Sequence, residues 1–250
     1  MNSYRTHVFD MDGTLLRSNG IKSEAFRAAA LPYGEDAAEA MVALHQAAGS
    51  ISRRERVEHF FATVLGIPEV APQEVEDLLT CIEVALEGGY RRAPILAGVE
   101  EYLSRLGHHV VVTGVEEIEA RGIVGQGGTR SLWPFVAEVY GAPPNKSERL
   151  RQLVEDGRIT LPAVYYGDAE ADYEAATDAG LDFVLVTCDA EWDWRPWVAA
   201  HPEVRVIEDF RALLTSPQQA RVRVGRDGYA EVGGERRYIG QSLAGAVVTL

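Results

Sequence analysis

Six short apolar stretches rich in β-branched and aromatic residues punctuate the chain: THVF (6–9), HVVVT (109–113), FVAEVY (135–140), AVYYG (163–167), FVLVT (183–187) and VRVI (204–207). Runs of this length read as strands buried on both faces. Between them lie stretches with helical spacing: VEEYLSRL (99–106), KSERLRQLV (146–154), ADYEAATDAG (171–180) and EDFRALL (208–214). From about residue 97 to 214 strand and helix alternate. That alternation predicts an α/β fold, a parallel sheet with helices on both faces. Ligands of such sheets bind beyond the carboxyl ends of the strands. Asp10, Thr113 and Asp168 each fall at or just past such an end.

Residues 17–93 break the pattern. SEAFRAAALPYG, DAAEAMVALHQAA, RRERVEHFFATVLG and PQEVEDLLTCIEVAL all read as amphipathic helices, with no strand signal among them. A strand followed by so large a helical insertion predicts an all-helical cap seated over the strand ends. Arg17 to Gly20 is the expected exit, and Gly88-Gly89 with Pro94 the expected return linker. From about Gln218 the pattern changes again. RVRV (221–224), GRDG, YAEV (229–232), GG and RRYI (236–239) read as β-hairpins with glycine turns. The expected organisation is an α/β core over 1–16 and 94–217, a helical cap over 17–93, and a small β-hairpin extension over 218–250.

Charge narrows the partners. The net charge of −14 repels nucleic acid and anionic membrane, so neither is expected as a partner. No apolar run approaches membrane length and no basic-then-apolar leader opens the chain, which predicts a cytoplasmic protein. Cys81 and Cys188 are the only cysteines. They lack metal-ligand spacing and read as small buried hydrophobes.

The chemistry starts at HVFDMDGTLL (7–16), where a strand ends in two carboxylates, Asp10 and Asp12, followed by Gly13 and Thr14. Like charges this close need a cation or a shared proton. Three further places converge on the same sheet edge. They are Thr113 after HVVV, Lys146 opening a helix after GAPPN, and Asp168 after AVYYG with Asp172 four residues later. The set DMDGTL, VVVTG, the lysine of PPNKSERL and GDAEADYEAATDAGLDFVLV resembles the haloacid dehalogenase-like (HAD) superfamily, whose members are mostly phosphatases. The resemblance spans roughly residues 4–187 and points to the branch with a helical cap, the phosphoglycolate phosphatase and β-phosphoglucomutase type. It implies a Rossmann-like core.

The resemblance also implies roles. Asp10 would be the nucleophile, forming an aspartyl-phosphate. Asp12 would protonate the leaving alkoxide and later take a proton from water. Gly13 would let the chain turn, and Thr14 would bond the Asp12 carboxyl. Mg²⁺ would be held by Asp10 and Asp168 carboxylates and the Asp12 backbone carbonyl, with Asp172 at the metal or behind it. Thr113, through its hydroxyl, and Gly114, through its amide at a helix start, would meet phosphate oxygens, and Lys146 would neutralise phosphate and carboxylate together.

Asp12 favours phosphate esters, because carbon–halogen cleavage by relatives needs no second carboxylate. Phosphonate cleavage would need a cap lysine, and Lys22 is the only lysine there. The stretch GSISRRERVEHFF (49–61) resembles the specificity loop of helical caps. By position Ser52 and Arg53 (or Arg54) would meet the far end of the substrate. EWDWRPW (191–197) gathers three tryptophans that either pack or rim the entrance. The function so implied is Mg²⁺-dependent hydrolysis of a small phosphorylated metabolite: a sugar phosphate, phosphoglycolate or nucleoside monophosphate. The alternatives are a phosphomutase and a non-catalytic binding protein on the same fold. A monomer or homodimer is expected.

Overall fold

A computed structural model describes residues 4–47, 52–126, 132, 134–136, 138–214, 221–223, 227, 229–232, 235–238 and 247–249. The first residues of the 49–61 stretch and most of the two glycine turns near the C-terminus therefore lie outside the described residues. The chain divides into two compact units, Met1–Phe210 and Arg211–Leu250.

The first unit is built on six parallel strands: β1 (Thr6–Phe9), β2 (His109–Glu116), β3 (Val139–Ala142), β4 (Ala163–Gly167), β5 (Asp182–Val186) and β6 (Arg205–Ile207), in the order β3-β2-β1-β4-β5-β6. All five pairings are parallel. β1 is central, so it must be apolar on both faces, and Val8 and Phe9 are wholly buried. Every residue of AVYYG in β4 is buried as well. Between the strands run α5 (Val99–Ser104), α6 (Glu117–Gln126), α7 (Lys146–Glu155), α8 (Glu170–Asp178) and α9 (Trp194–Ala200). Leu150 and Leu153 of α7 and Ala175 and Ala176 of α8 pack with Val8, Val110, Val112, Tyr165 and Leu185 in one core cluster.

The register sets the functional edge. Phe9 lies opposite Val111 on one side and Tyr166 on the other. Asp10 is therefore level with Val112 and Gly167, and Thr113 and Asp168 stand one residue further out on the flanking strands.

Between β1 and β2 the structure holds α1 (Asn19–Ala30), a 3₁₀ turn over Leu31–Tyr33, α2 (Glu35–Ala47), α3 (Arg53–His59) running into a π turn over Phe60–Val64, and α4 (Pro72–Tyr90). α4 buries Val75, Leu78, Leu79, Ile82 and Leu86, the 3–4 spacing of one helical face. The chain leaves and returns through a paired stalk: the Arg17 amide donates to the Pro94 carbonyl at 2.8 Å, and the Leu96 amide to that of Leu15 at 2.9 Å.

Three expectations need correction. Gly88 and Gly89 are not a linker but the last turn of α4. A β-carbon on Gly89 would come within 2.2 Å of Ile21 Cγ2, so glycine there lets α1 and α4 touch backbone to side chain. Thr113 and Gly114 do not end a strand and open a helix. β2 continues to Glu116 through a register irregularity against β3, and α6 starts at Glu117. The third strand begins later than FVAEVY suggests, at Val139, because Phe135 and Val136 lie in a turn closed on Leu132.

In the second unit, after α10 (Arg211–Leu214), β7 (Arg221–Arg223) pairs antiparallel with β10 (Val247–Thr249), and β8 (Tyr229–Val232) with β9 (Glu235–Tyr238). Of the expected hairpins, Tyr229–Val232 pairs with Glu235–Tyr238, while Arg221–Arg223 pairs with Val247–Thr249 and, among the described residues, not with Tyr229–Val232. Among the described residues no helix is long and apolar enough to cross a membrane.

Candidate active site

β1, β4 and the starts of α7 and α8 bring four charged side chains to one place. Lys146, the first residue of α7, has Nζ 2.9 Å from Asp10 Oδ1 and 2.5 Å from Asp172 Oδ1. α7 starts there because Asn145 caps it, its side chain accepting from the Glu148 amide at 3.0 Å. Asp172 Oδ2 accepts from the amides of Asp168 and Ala169 at 3.1 and 3.2 Å. Asp172 thus fixes the loop that carries Asp168 while its other oxygen holds the lysine. Asp168 Oδ2 receives Asn19 Nδ2 at 2.6 Å. Gly13 makes this approach possible: it sits at φ +72°, and a β-carbon there would lie 2.4 Å from Asp168 Oδ2.

Asp10, Asp168 and Asp172 are buried, and one oxygen from each lies within 4.8 Å of the others. Three carboxylates face one ammonium, leaving two negative charges if all are ionised. The electrostatics register that shortfall. Burial raises the Asp10 carboxyl, Lys146 draws it back, and Asp172 and Asp12 push it up again; the net shift is upward. Burial, then Asp172 and Asp10, push Asp168 well above the carboxylate range. Burial opposes the charge on Lys146, but Asp10 and Asp172 hold it firmly protonated. An all-oxygen donor set, buried and short of positive charge, fits a hard divalent cation such as Mg²⁺.

Asp12 lives in a different environment. Its Oδ1 accepts from Ser18 Oγ at 2.6 Å and from the Tyr90 hydroxyl at 2.9 Å, and its Oδ2 from Lys22 Nζ at 3.0 Å. Burial alone would raise this carboxyl. Lys22, Ser18 and Tyr90 outweigh it and hold it below the usual range. Thr14, expected to bond Asp12, does not: among the described residues its buried hydroxyl has no hydrogen-bond partner, and Ser18 has taken the role.

Thr113 is buried on β2, its Oγ1 accepting from the Val115 amide at 3.3 Å, and Gly114 next to it is exposed. The predicted specificity residues are engaged elsewhere. Ser52 caps α3, its Oγ accepting from the Glu55 amide at 3.2 Å. The Arg53 guanidinium reaches Glu119 of α6 at 3.2 Å and Glu83 of α4 at 3.7 Å, and Arg54 pairs with Glu76 and Glu58.

Sequence reasoning missed Ser18, Asn19, Tyr90 and Asp189, and took Glu191 and Trp192 of the loop after β5 only as part of a stretch that packs or rims the entrance. In that loop Asp189 accepts from the Asn19 amide at 3.0 Å, Glu191 from Ser23 at 2.6 Å, and the Trp192 indole donates to the Asp168 carbonyl at 2.8 Å. Trp194 and Trp197 pack against the core cluster. One signal was available. The two connections of any insertion placed after β1 must run past the strand ends, so polar residues in them face the site.

A parallel α/β core with buried carboxylates and a lysine at the carboxyl edge of its central strands defines a class of hydrolytic enzyme. The haloacid dehalogenase-like hydrolase profile matches residues 7–177, and the chain belongs to that family. No curated protein sequence matches it. Among solved structures it is similar to a predicted phosphoglycolate phosphatase from Haemophilus somnus, with TM-score 0.67 and 18% identity over 86% of this chain and 98% of that one. It is also similar to a haloacid dehalogenase-like hydrolase from Bacteroides fragilis, with TM-score 0.63 and 17% identity over 84% and 100%. A protein from Thermotoga maritima, provisionally assigned as a β-phosphoglucomutase, superposes with TM-score 0.61 at 18% identity over 84% and 99%. At these identities the likeness is one of fold.

Proposed function

We propose that this protein is a Mg²⁺-dependent phosphatase that hydrolyses a small phosphomonoester through an aspartyl-phosphate on Asp10. One observation carries the reading: Lys146 bridges Asp10 and Asp172 while Asp168 lies within the same carboxylate cluster. Phosphoryl transfer needs a placed nucleophile and charge neutralisation, and this cluster supplies both.

A carboxylate oxygen of Asp10 attacks phosphorus and the ester P–O bond breaks, the departing alkoxide taking a proton from Asp12. Water then attacks the phosphoryl group, Asp12 takes its proton, and the bond to Asp10 breaks, releasing inorganic phosphate. Lys146 holds Asp10 and screens the incoming phosphate. Thr113 and the exposed Gly114 amide are the donors on the neighbouring strand for phosphoryl oxygens. Asp10, Asp168 and the Asp12 carbonyl would hold Mg²⁺, with Asp172 anchoring the Asp168 loop. The ion supplies charge neutralisation between carboxylates and phosphate.

Helices α1–α4 act as a cap that shields the reaction from bulk water. Arg53 and Ser52 stand on the cap as contacts for the far end of the substrate, Arg53 exchanging its Glu119 partner for a polar or anionic group. A sugar phosphate, phosphoglycolate or nucleoside monophosphate fits this reading. The likeness to a phosphoglycolate phosphatase supports it at the level of fold.

Phosphate release from a panel of phosphorylated metabolites, with Mg²⁺ and after chelation, tests it. Asp10→Asn is expected to abolish release while the protein stays folded by circular dichroism. Full activity in that variant removes Asp10 as the nucleophile. An isomerised sugar phosphate without released phosphate replaces hydrolysis with a mutase reaction.

A further inference from the structure

The two aspartates of DMD are served by different elements of the first unit. Asp10 is held from the sheet side, by Lys146 at the start of α7. Asp12, two residues on, receives its side-chain hydrogen bonds, among the described residues, from outside the α/β core. Its donors are Ser18 on the stalk, Lys22 in the first turn of α1, and Tyr90, the last residue of α4. Tyr90 touches both oxygens, at 2.9 and 3.2 Å, so the three donors surround the carboxylate. Ser18 is wholly buried and Tyr90 nearly so.

Lys22 and Tyr90 come from opposite ends of the helical segment, yet they act as a pair. α1 and α4 touch at their roots, where Gly89 makes room for Ile21. Both helices hang from the same stalk, tied by the Arg17–Pro94 and Leu15–Leu96 backbone hydrogen bonds. A rotation of the helices about that stalk would carry both donors off Asp12 together; it would also take Asn19 off Asp168, while the Asp10–Lys146 contact, made to the start of α7, would stay. Away from the stalk the segment is seated on the core by Arg53 on Glu119 and by Ser23 and Gln46 on Glu191.

We propose that Lys22 and Tyr90 are positioning residues that hold the Asp12 carboxylate, and that they make its acid–base work depend on the helical segment being seated. Nucleophilic attack by Asp10 does not depend on them. The inference rests on the phosphatase reading above and assigns the cap roots a part in the chemistry.

The two half-reactions separate this from a general loss of structure. p-Nitrophenolate leaves without needing a proton, whereas hydrolysis of the aspartyl-phosphate needs Asp12 as base. With p-nitrophenyl phosphate and Mg²⁺, Lys22→Met and Tyr90→Phe are expected to keep a fast stoichiometric burst of p-nitrophenolate. Their steady-state rate is expected to fall by roughly 10²-fold, the scale of a general base. Adding either change to Asp12→Asn is expected to cost nothing further, since the group they position is already gone. Equal loss of burst and steady state, no loss of either, or a further fall in the Asp12→Asn background each overturn the proposal. A parent protein that shows neither burst nor turnover with any ester overturns the phosphatase reading itself.

Discussion

At the scale of single residues, the site separates two carboxylates that are neighbours in the chain. Asp10 and Asp168 are crowded by like charge and pushed up, while Asp12 is surrounded by donors and held down. The donors around Asp12 keep it ionised, the state in which it can accept a proton, whereas the crowding of Asp10 and Asp168 is what a bound cation would relieve. Thr14 is the counter-example, a buried hydroxyl with no partner among the described residues. Leaving a hydroxyl unpaired in an apolar setting costs about 1–3 kcal/mol, so Thr14→Val, which keeps the shape, is expected to stabilise the fold by about 1 kcal/mol. Urea unfolding checks this, and a loss of stability would mean that the hydroxyl has a partner after all. The types of the site residues were legible from the sequence, because Asp, Lys and Thr at strand ends and helix starts are few. Their partners were not. Ser18 in place of Thr14 on Asp12 depends on where the stalk turns, and no local pattern encodes that turn.

At the scale of elements, the close contact of α1 with α4 decides where Lys22 and Tyr90 fall. Gly89 sits against Ile21 with no space for a side chain. Gly89→Val gains only part of the helix propensity that glycine forfeits, and it forces a branched side chain into an occupied place. It is expected to destabilise the protein by about 1–3 kcal/mol, and to impair steady-state turnover by displacing Tyr90 and Lys22. Thermal melts alongside kinetics measure both effects, and a variant as stable as the parent would show that the helices can part at no cost. The glycine pair had read as a linker because two glycines in sequence usually punctuate. Only the packing of two helices distant in sequence shows that one of them is a contact glycine. The same limit applied to β2, where Thr113-Gly114 read as a strand end though the strand runs on to Glu116.

At the scale of the whole molecule, partly buried histidines tie stability to pH. His45 of α2 stacks on Phe26 with ring centroids 4.3 Å apart. Burial first, then the charges of Lys22, Arg56 and Arg53 against a weaker pull from Asp12, lower its pKa from 6.5 to about 3. His7 on β1 is lowered to about 4, by burial and then by His109. For a group depressed on folding, the unfolded chain binds the proton first. The stabilisation is complete above pH 6.5 and is lost as pH falls from there towards the folded values. Between pH 7 and pH 5, His45 alone is expected to cost about 2 kcal/mol of stability, with His7 adding in the same direction. Unfolding curves across that range, compared with His45→Gln, check the slope. An equally steep loss in the variant would clear His45 of the effect.

Sequence alone determined the alternation of strands and helices, the helical interruption after the first strand, and which charged residues follow the apolar runs that meet at one sheet edge. These follow from local periodicity and from the few places where charged residues abut apolar runs. Tertiary structure decided which groups meet: Lys146 with Asp10 and Asp172, Lys22 and Tyr90 with Asp12, Arg53 with Glu119. The reason is physical. Propensity and hydrophobic pattern act over a few neighbouring residues, whereas these contacts join groups brought together only when strand register and helix packing close the fold.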